Sequence, residues 1–180
     1  MTLAELVHTL ELAGFYDYAL PEKIEDIKTK TLQTGFVYSF SDGTNRCYNA
    51  DAESLAECGV EFFLERIDAF LHKQGVLIQS IETNCHYSKE YLLKVNGISY
   101  QMFSAPEGET ADLWGLVTKR SFTLVNDLLE EAGSPERLFQ LYADNDTGGL
   151  FLTEKLYGIL LTSDVLPKED RPILIPGSRV

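Results

Sequence analysis

The chain has 180 residues, 44% hydrophobic and 24% charged, a globular composition with enough apolar side chain for one packed core. Its 28 acids against 15 bases give a formal net charge of −13. That charge repels phosphate backbones and anionic lipid surfaces, which argues against nucleic acid and membrane as binding targets and makes a basic protein the natural partner.

Thr2 followed by Glu5 forms a capping box, Leu3, Leu6, Val7 and Leu10 share one helical face, and Gly14 supplies a stop, so an amphipathic helix opens the chain. The stretch around Pro21 reads as irregular. Phe36, Tyr38 and Phe40 then alternate with smaller residues, Asp42-Gly43 has turn chemistry, and Cys47-Tyr48 can return the strand, which predicts a first hairpin. Asp51 caps a helix predicted to run to about Lys73, with Ala56, Val60, Phe63, Leu64, Ile67, Phe70 and Leu71 on one face. Gly59 weakens that helix locally, by about 1 kcal/mol relative to Ala.

Val76 to Glu82 alternates and is rich in β-branched residues. Residues 91–95 join residues 98–103 through Asn96-Gly97, a type I′ turn signal, giving a second hairpin. Ala105 to Thr110 is a Pro/Gly/Glu loop. From about Asp112 to Ala132 the apolar stripe spans nearly half the circumference, including Leu113, Trp114, Val117, Phe122 and Leu129. This predicts a helix packed on two sides and ended by Gly133, Ser134 and Pro135. Leu138 to Tyr142 and Leu150 to Leu152 predict a third short strand pair around the loop Asp144 to Gly149, and Glu154 to Leu161 carries no decisive pattern. Antiparallel hairpins alternating with amphipathic helices define an α+β fold, expected as a single domain over residues 1–180, within which residues 1–50 could form an N-terminal subregion.

The first residues, Met1 to Gly14, lack the basic cluster and continuous apolar block of a secretory signal, and no stretch approaches the roughly 20 apolar residues of a bilayer span. The three cysteines, Cys47, Cys58 and Cys85, cannot all pair and lack zinc-site spacing, so they read as reduced thiols of a cytoplasmic protein. A phosphate-cradling Gly-rich loop, a nucleophile elbow and a His-Glu-x-x-His helix are all missing, so no catalytic residue, metal or cofactor is assigned. In an extended segment Cys85 and His86 point to opposite faces, so a nucleophile at Cys85 would need a distant base such as His8 or His72. The Asp144–Gly149 loop begins like a calcium loop, but Gly148 and Lys155 stand where ligand oxygens are required. It reads as an Asx- and Gly-rich turn whose Asp144 and Asp146 could offer a loop contact.

Glu53, Glu57, Glu61, Glu65 and Asp68 recur at helical spacing beside the apolar stripe of the Asp51–Lys73 segment. Like charges at i, i+4 destabilise an exposed helix by a few tenths of a kcal/mol each, and Arg66 and Lys73 offer little relief. The ladder is either a solvated face or an anionic surface that steers and docks a cationic partner.

The run from Leu124 to Arg137, followed by Phe139, Leu141, Asn145-Asp146 and Gly149 to Thr153, resembles small uncharacterised bacterial proteins grouped with the immunity proteins of polymorphic toxin systems. The resemblance covers roughly residues 120–155 and transfers no site residue. It implies a cytosolic protein that binds and blocks a toxin domain, often a basic nuclease. The expected function is therefore a non-catalytic acidic inhibitor that sequesters a basic protein. The alternatives are a small hydrolase or transferase using Cys85 or a carboxylate cluster, and an accessory subunit of a complex.

Overall fold

A computed structural model describes residues 1–86, 89–109, 112–142 and 147–175. Helix α1 (Leu3–Leu12) starts on the expected capping box: Thr2 Oγ1 accepts from Glu5 N (3.2 Å) and Thr2 N donates to Glu5 Oε2 (2.7 Å). Leu6, Val7 and Leu10 are its buried face. The region around Pro21 is helical rather than irregular: a 3-10 turn (Pro21–Lys23) leads into α2 (Ile24–Thr34). This helix buries only Ile27 and Thr31, so it has no apolar stripe wide enough to stand out.

The first hairpin is not formed. Val37 and Tyr38, neighbours in sequence, are both buried, whereas a pleated strand would send them to opposite faces. Residues 36–46 instead form a loop organised by Asp42, whose Oδ1 accepts from Thr44 N and Thr44 Oγ1 (both 2.7 Å) and whose Oδ2 accepts from Ser39 N (2.9 Å). The returning segment does become a strand, β1 (Cys47–Asn49), but it pairs antiparallel with β6 (Gly148–Thr153), Cys47 opposite Leu150.

The long helix expected from Asp51 is broken. Asp51 Oδ1 accepts from Ser54 N (2.6 Å) to cap a single turn, α3 (Ala52–Ser54). A π-type turn (Leu55–Gly59) follows, in which Glu57 (φ −85°, ψ 37°) and Cys58 (φ 71°, ψ 17°) leave helical geometry, and α4 (Val60–Lys73) then runs regularly. Gly59 belongs to this break: it is buried against the Ser54 carbonyl oxygen, which any Cβ at position 59 would strike.

Strands β2 (Ile81–His86), β3 (Glu90–Val95) and β4 (Ile98–Phe103) form an antiparallel sheet in that order. Asn96 (φ 50°) and Gly97 (φ 84°) make the expected type I′ turn between β3 and β4. The strand expected from Val76 begins only at Ile81. The Asn96 side chain holds the approach to it, accepting from Gln79 N (2.7 Å) and donating to Leu77 O (2.8 Å). Helix α5 (Leu113–Glu131), strand β5 (Glu136–Leu141) paired with β6, and helix α6 (Glu154–Thr162), capped by Thr153, complete the chain's main elements.

The second sheet, ordered β1-β6-β5, is buried on both faces. Leu138 and Phe151 point into a core shared with Phe63, Ile67 and Phe70 of α4, Tyr91, Leu93 and Val95 of β3, and Phe122, Val125 and Leu129 of α5. Phe139, Leu141, Leu150 and Leu152 point the other way, into a core with Leu6, Leu10, Phe15, Ile27, Tyr38, Leu156 and Leu160. The result is one α+β domain in which residues from both ends of the chain wall the same core.

A buried polar network crosses this wall. Arg46, 1% exposed, donates through Nη1 to Glu136 Oε2 (2.8 Å) and Phe151 O (3.0 Å), through Nε to Phe15 O (2.8 Å), and through Nη2 to Gly14 O (3.0 Å). Its guanidinium lies 4.5 Å from the centroid of the Tyr18 ring, and Tyr18 OH donates to the second Glu136 oxygen (3.1 Å). The buried charges are thus paired and their hydrogen-bonding groups engaged, the condition for holding ions away from water.

Candidate functional site

The break before α4 divides the predicted carboxylate ladder. Glu53 lies on the short first turn and Glu57 at the break, and neither lines the groove that the remaining three define. Glu61, Glu65 and Asp68 form one wall of a groove of about 360 Å³; residues 78–81 form the other and Leu64 contributes apolar surface. Glu61 Oε2 accepts from Thr83 Oγ1 (2.9 Å), and Asp68 Oδ1 lies 3.6 Å from His72 Nε2. Arg66 is directed to the other side of the helix, where Nη1 donates to Asn49 O (2.9 Å). Among the described residues no Lys or Arg lines the groove, so the field they set up there is anionic.

The opposite wall leads into a sheet edge. Strand β2 is bonded to β3 on one side, and no described strand pairs with its other side. Asn96 N donates to Ser80 O (3.0 Å) and Ile81 is opposite Val95, so the antiparallel alternation turns the backbone groups of Ile81 and Thr83 away from β3. Sequence reasoning missed this contribution because it consists of main-chain atoms; the available signal was the alternating run that enters β2.

Cys58 and Cys85 are joined by a disulfide with Cα atoms 6.0 Å apart, tying the helix break to β2. This corrects the expectation of three reduced thiols, and the cytoplasmic expectation loses the support it drew from them. The left-handed backbone at Cys58 brings two cysteines together that are 27 residues apart in sequence. Cys85 therefore offers no free thiol for nucleophilic attack. Cys47 is free and buried, and burial pushes its thiol pKa up. Asp144 and Asp146 lie outside the described residues.

Chemically the groove can attract and hydrogen-bond cations and extended backbone. Among the described residues, no helix is long and apolar enough to cross a membrane, and no group of three or more His, Cys, Asp or Glu is placed to hold a metal ion. The class defined is an α+β protein of two three-stranded antiparallel sheets with an acidic groove beside a sheet edge. Comparison with family models, with curated proteins and with solved structures finds no match to this chain.

Proposed function

We propose that this is a non-catalytic binding protein whose acidic groove sequesters a basic protein, in the manner of an immunity-type inhibitor that covers the cationic surface of a toxin domain. The observation that carries this reading is the convergence of Glu61, Glu65 and Asp68 on a groove bordered by an open strand edge. An extended Lys- or Arg-bearing segment could add main-chain hydrogen bonds to β2 while its cationic side chains meet the carboxylates. The net charge of −13 would accelerate the encounter, and the same contacts would occlude cationic residues that a toxin uses on its own substrate. The hydrolase reading through Cys85 has lost its nucleophile to the disulfide.

The test is co-purification from the native host at about 20 mM and about 300 mM salt, using wild type and the Glu61→Lys/Glu65→Lys variant. A basic protein retained by wild type at low salt, released at high salt and not retained by the variant is the expected result. Retention of the same proteins by both chains, or of no basic protein at low salt, overturns the reading.

A further inference from the structure

The disulfide between Cys58 and Cys85 stands at one end of a clasp between α4 and β2. Residues 81, 83 and 85 of β2 share one face, because side chains alternate along a strand, and they lie opposite the buried Val95, Leu93 and Tyr91 of β3. Steps of three along the helical segment meet steps of two back along that face. Cys58 is bonded to Cys85, Glu61 Oε2 accepts from Thr83 Oγ1 (2.9 Å), and Leu64 and Ile81 line the acidic groove together. The bridge therefore fixes how far β2 stands from the start of α4.

The other two rungs are non-covalent, and the middle one is an exposed hydrogen bond, for which water competes. Among the described residues β2 has a strand on one side only, and Glu82, Thr83, Asn84 and His86 are exposed. An edge strand of this kind belongs to the low-stability end of a fold, where opening is local. Both bridged cysteines are half-buried at the margin of the first core, whereas Cys47 is enclosed in the second and takes no part in the bridge. Cys58 also has a φ of 71°, a left-handed backbone that a residue with a Cβ keeps only while its surroundings impose it, and the bridge is one of the constraints that do so.

We propose that the Cys58–Cys85 disulfide is a reversible redox latch: a dithiol reductant opens it in the folded protein, releasing β2 from α4 and dismantling the acidic groove. One thiolate of the reductant attacks a bridge sulfur to form a mixed disulfide, and the original S–S bond breaks, releasing the other cysteine as a thiolate that takes a proton from water. The second thiol of the reductant, deprotonated by solvent, then displaces the first cysteine, which is protonated in turn, and the reductant closes its own disulfide. Two electrons pass to the protein, and Cys58 and Cys85 end as thiols. The latch is a property of this chain alone; its bearing on partner binding rests on the groove reading above, under which only the oxidised chain holds a basic protein.

The test treats the intact chain with dithiothreitol in native buffer, traps thiols with iodoacetamide for mass spectrometry and follows amide chemical shifts. The expected result is alkylation of Cys58 and Cys85, at a rate proportional to dithiothreitol concentration and at least about tenfold faster than global unfolding. In the reduced chain the shifts of residues 55–65 and 78–86 should move toward unstructured values while those of β5 and β6 stay in place. Glutathione disulfide, which leaves as two molecules of glutathione, should then restore the original spectrum. Reduction no faster than global unfolding would make the bridge a structural staple and overturn the proposal. Unchanged shifts at the groove, collapse of the β5 and β6 shifts, or a spectrum that glutathione disulfide does not restore would each overturn it as well. The Cys58→Ser/Cys85→Ser variant should show the reduced spectrum and ignore dithiothreitol; a response would place the effect outside the bridge. The wild-type measurements decide the matter even if the variant fails to fold.

Discussion

Arg46 can remain charged in the interior because four acceptors surround it and Glu136 neutralises it. Removing one partner leaves the other charge buried and alone, so Arg46→Ala or Glu136→Ala should each cost about 3–5 kcal/mol in urea unfolding. A loss below about 1 kcal/mol would mean that the network is incidental to the fold. A different carboxylate contributes to the acid limb of stability. Hydrogen bonds from Arg120 first, then from Ser104, hold the Glu107 carboxyl down to about 2, against an ordinary value of 4.5. A carboxylate depressed on folding contributes stability above its unfolded pKa and loses it as pH falls through the folded one. Glu107→Gln should therefore be less stable than wild type above pH 4.5, and the difference should shrink as pH falls from 4.5 and vanish only below about pH 2, as read from urea midpoints against pH.

At the scale of elements, the break before α4 depends on the absence of a side chain at Gly59. Gly59→Ala forces a methyl against the Ser54 carbonyl and should cost roughly 1–3 kcal/mol, although alanine is the better helix former. The disulfide beside it closes a loop of 27 residues, worth roughly 3.5 kcal/mol by loop-closure entropy, so the Cys58→Ser/Cys85→Ser variant should lose stability of that order in denaturant titration. Local signals were legible wherever they were complete. The Thr2/Glu5 capping box announced α1, Asn96-Gly97 announced the β3–β4 turn, and the wide stripe announced α5. Pairing across distance was not. The register of β1 against β6 spans about a hundred residues, and alternating aromatics at 36, 38 and 40 looked like a strand because nothing local reveals that they surround a pocket. Helix α2 was overlooked although Pro21 and the left-handed Gly35 bracket it, because its buried face amounts to two residues. Three of the five ladder carboxylates do converge on one groove; the helical period could not reveal the break that separates the other two.

For the whole molecule, a charge of −13 means that encounter with any cationic partner should be fast in dilute salt and slow in concentrated salt. Stopped-flow association across ionic strength measures this, and a rate independent of salt would remove steering from the account. The sheet β1-β6-β5 bears on what such measurements can report. Because each of its faces completes a different core, neither core can open without stripping the other's wall. Amides of β5 and β6 should exchange with solvent only through global unfolding. A molecule that binds the native state stabilises it against that same event. A protein laid across Glu61 should therefore leave its trace at a distance, as slower exchange in strands that it does not touch.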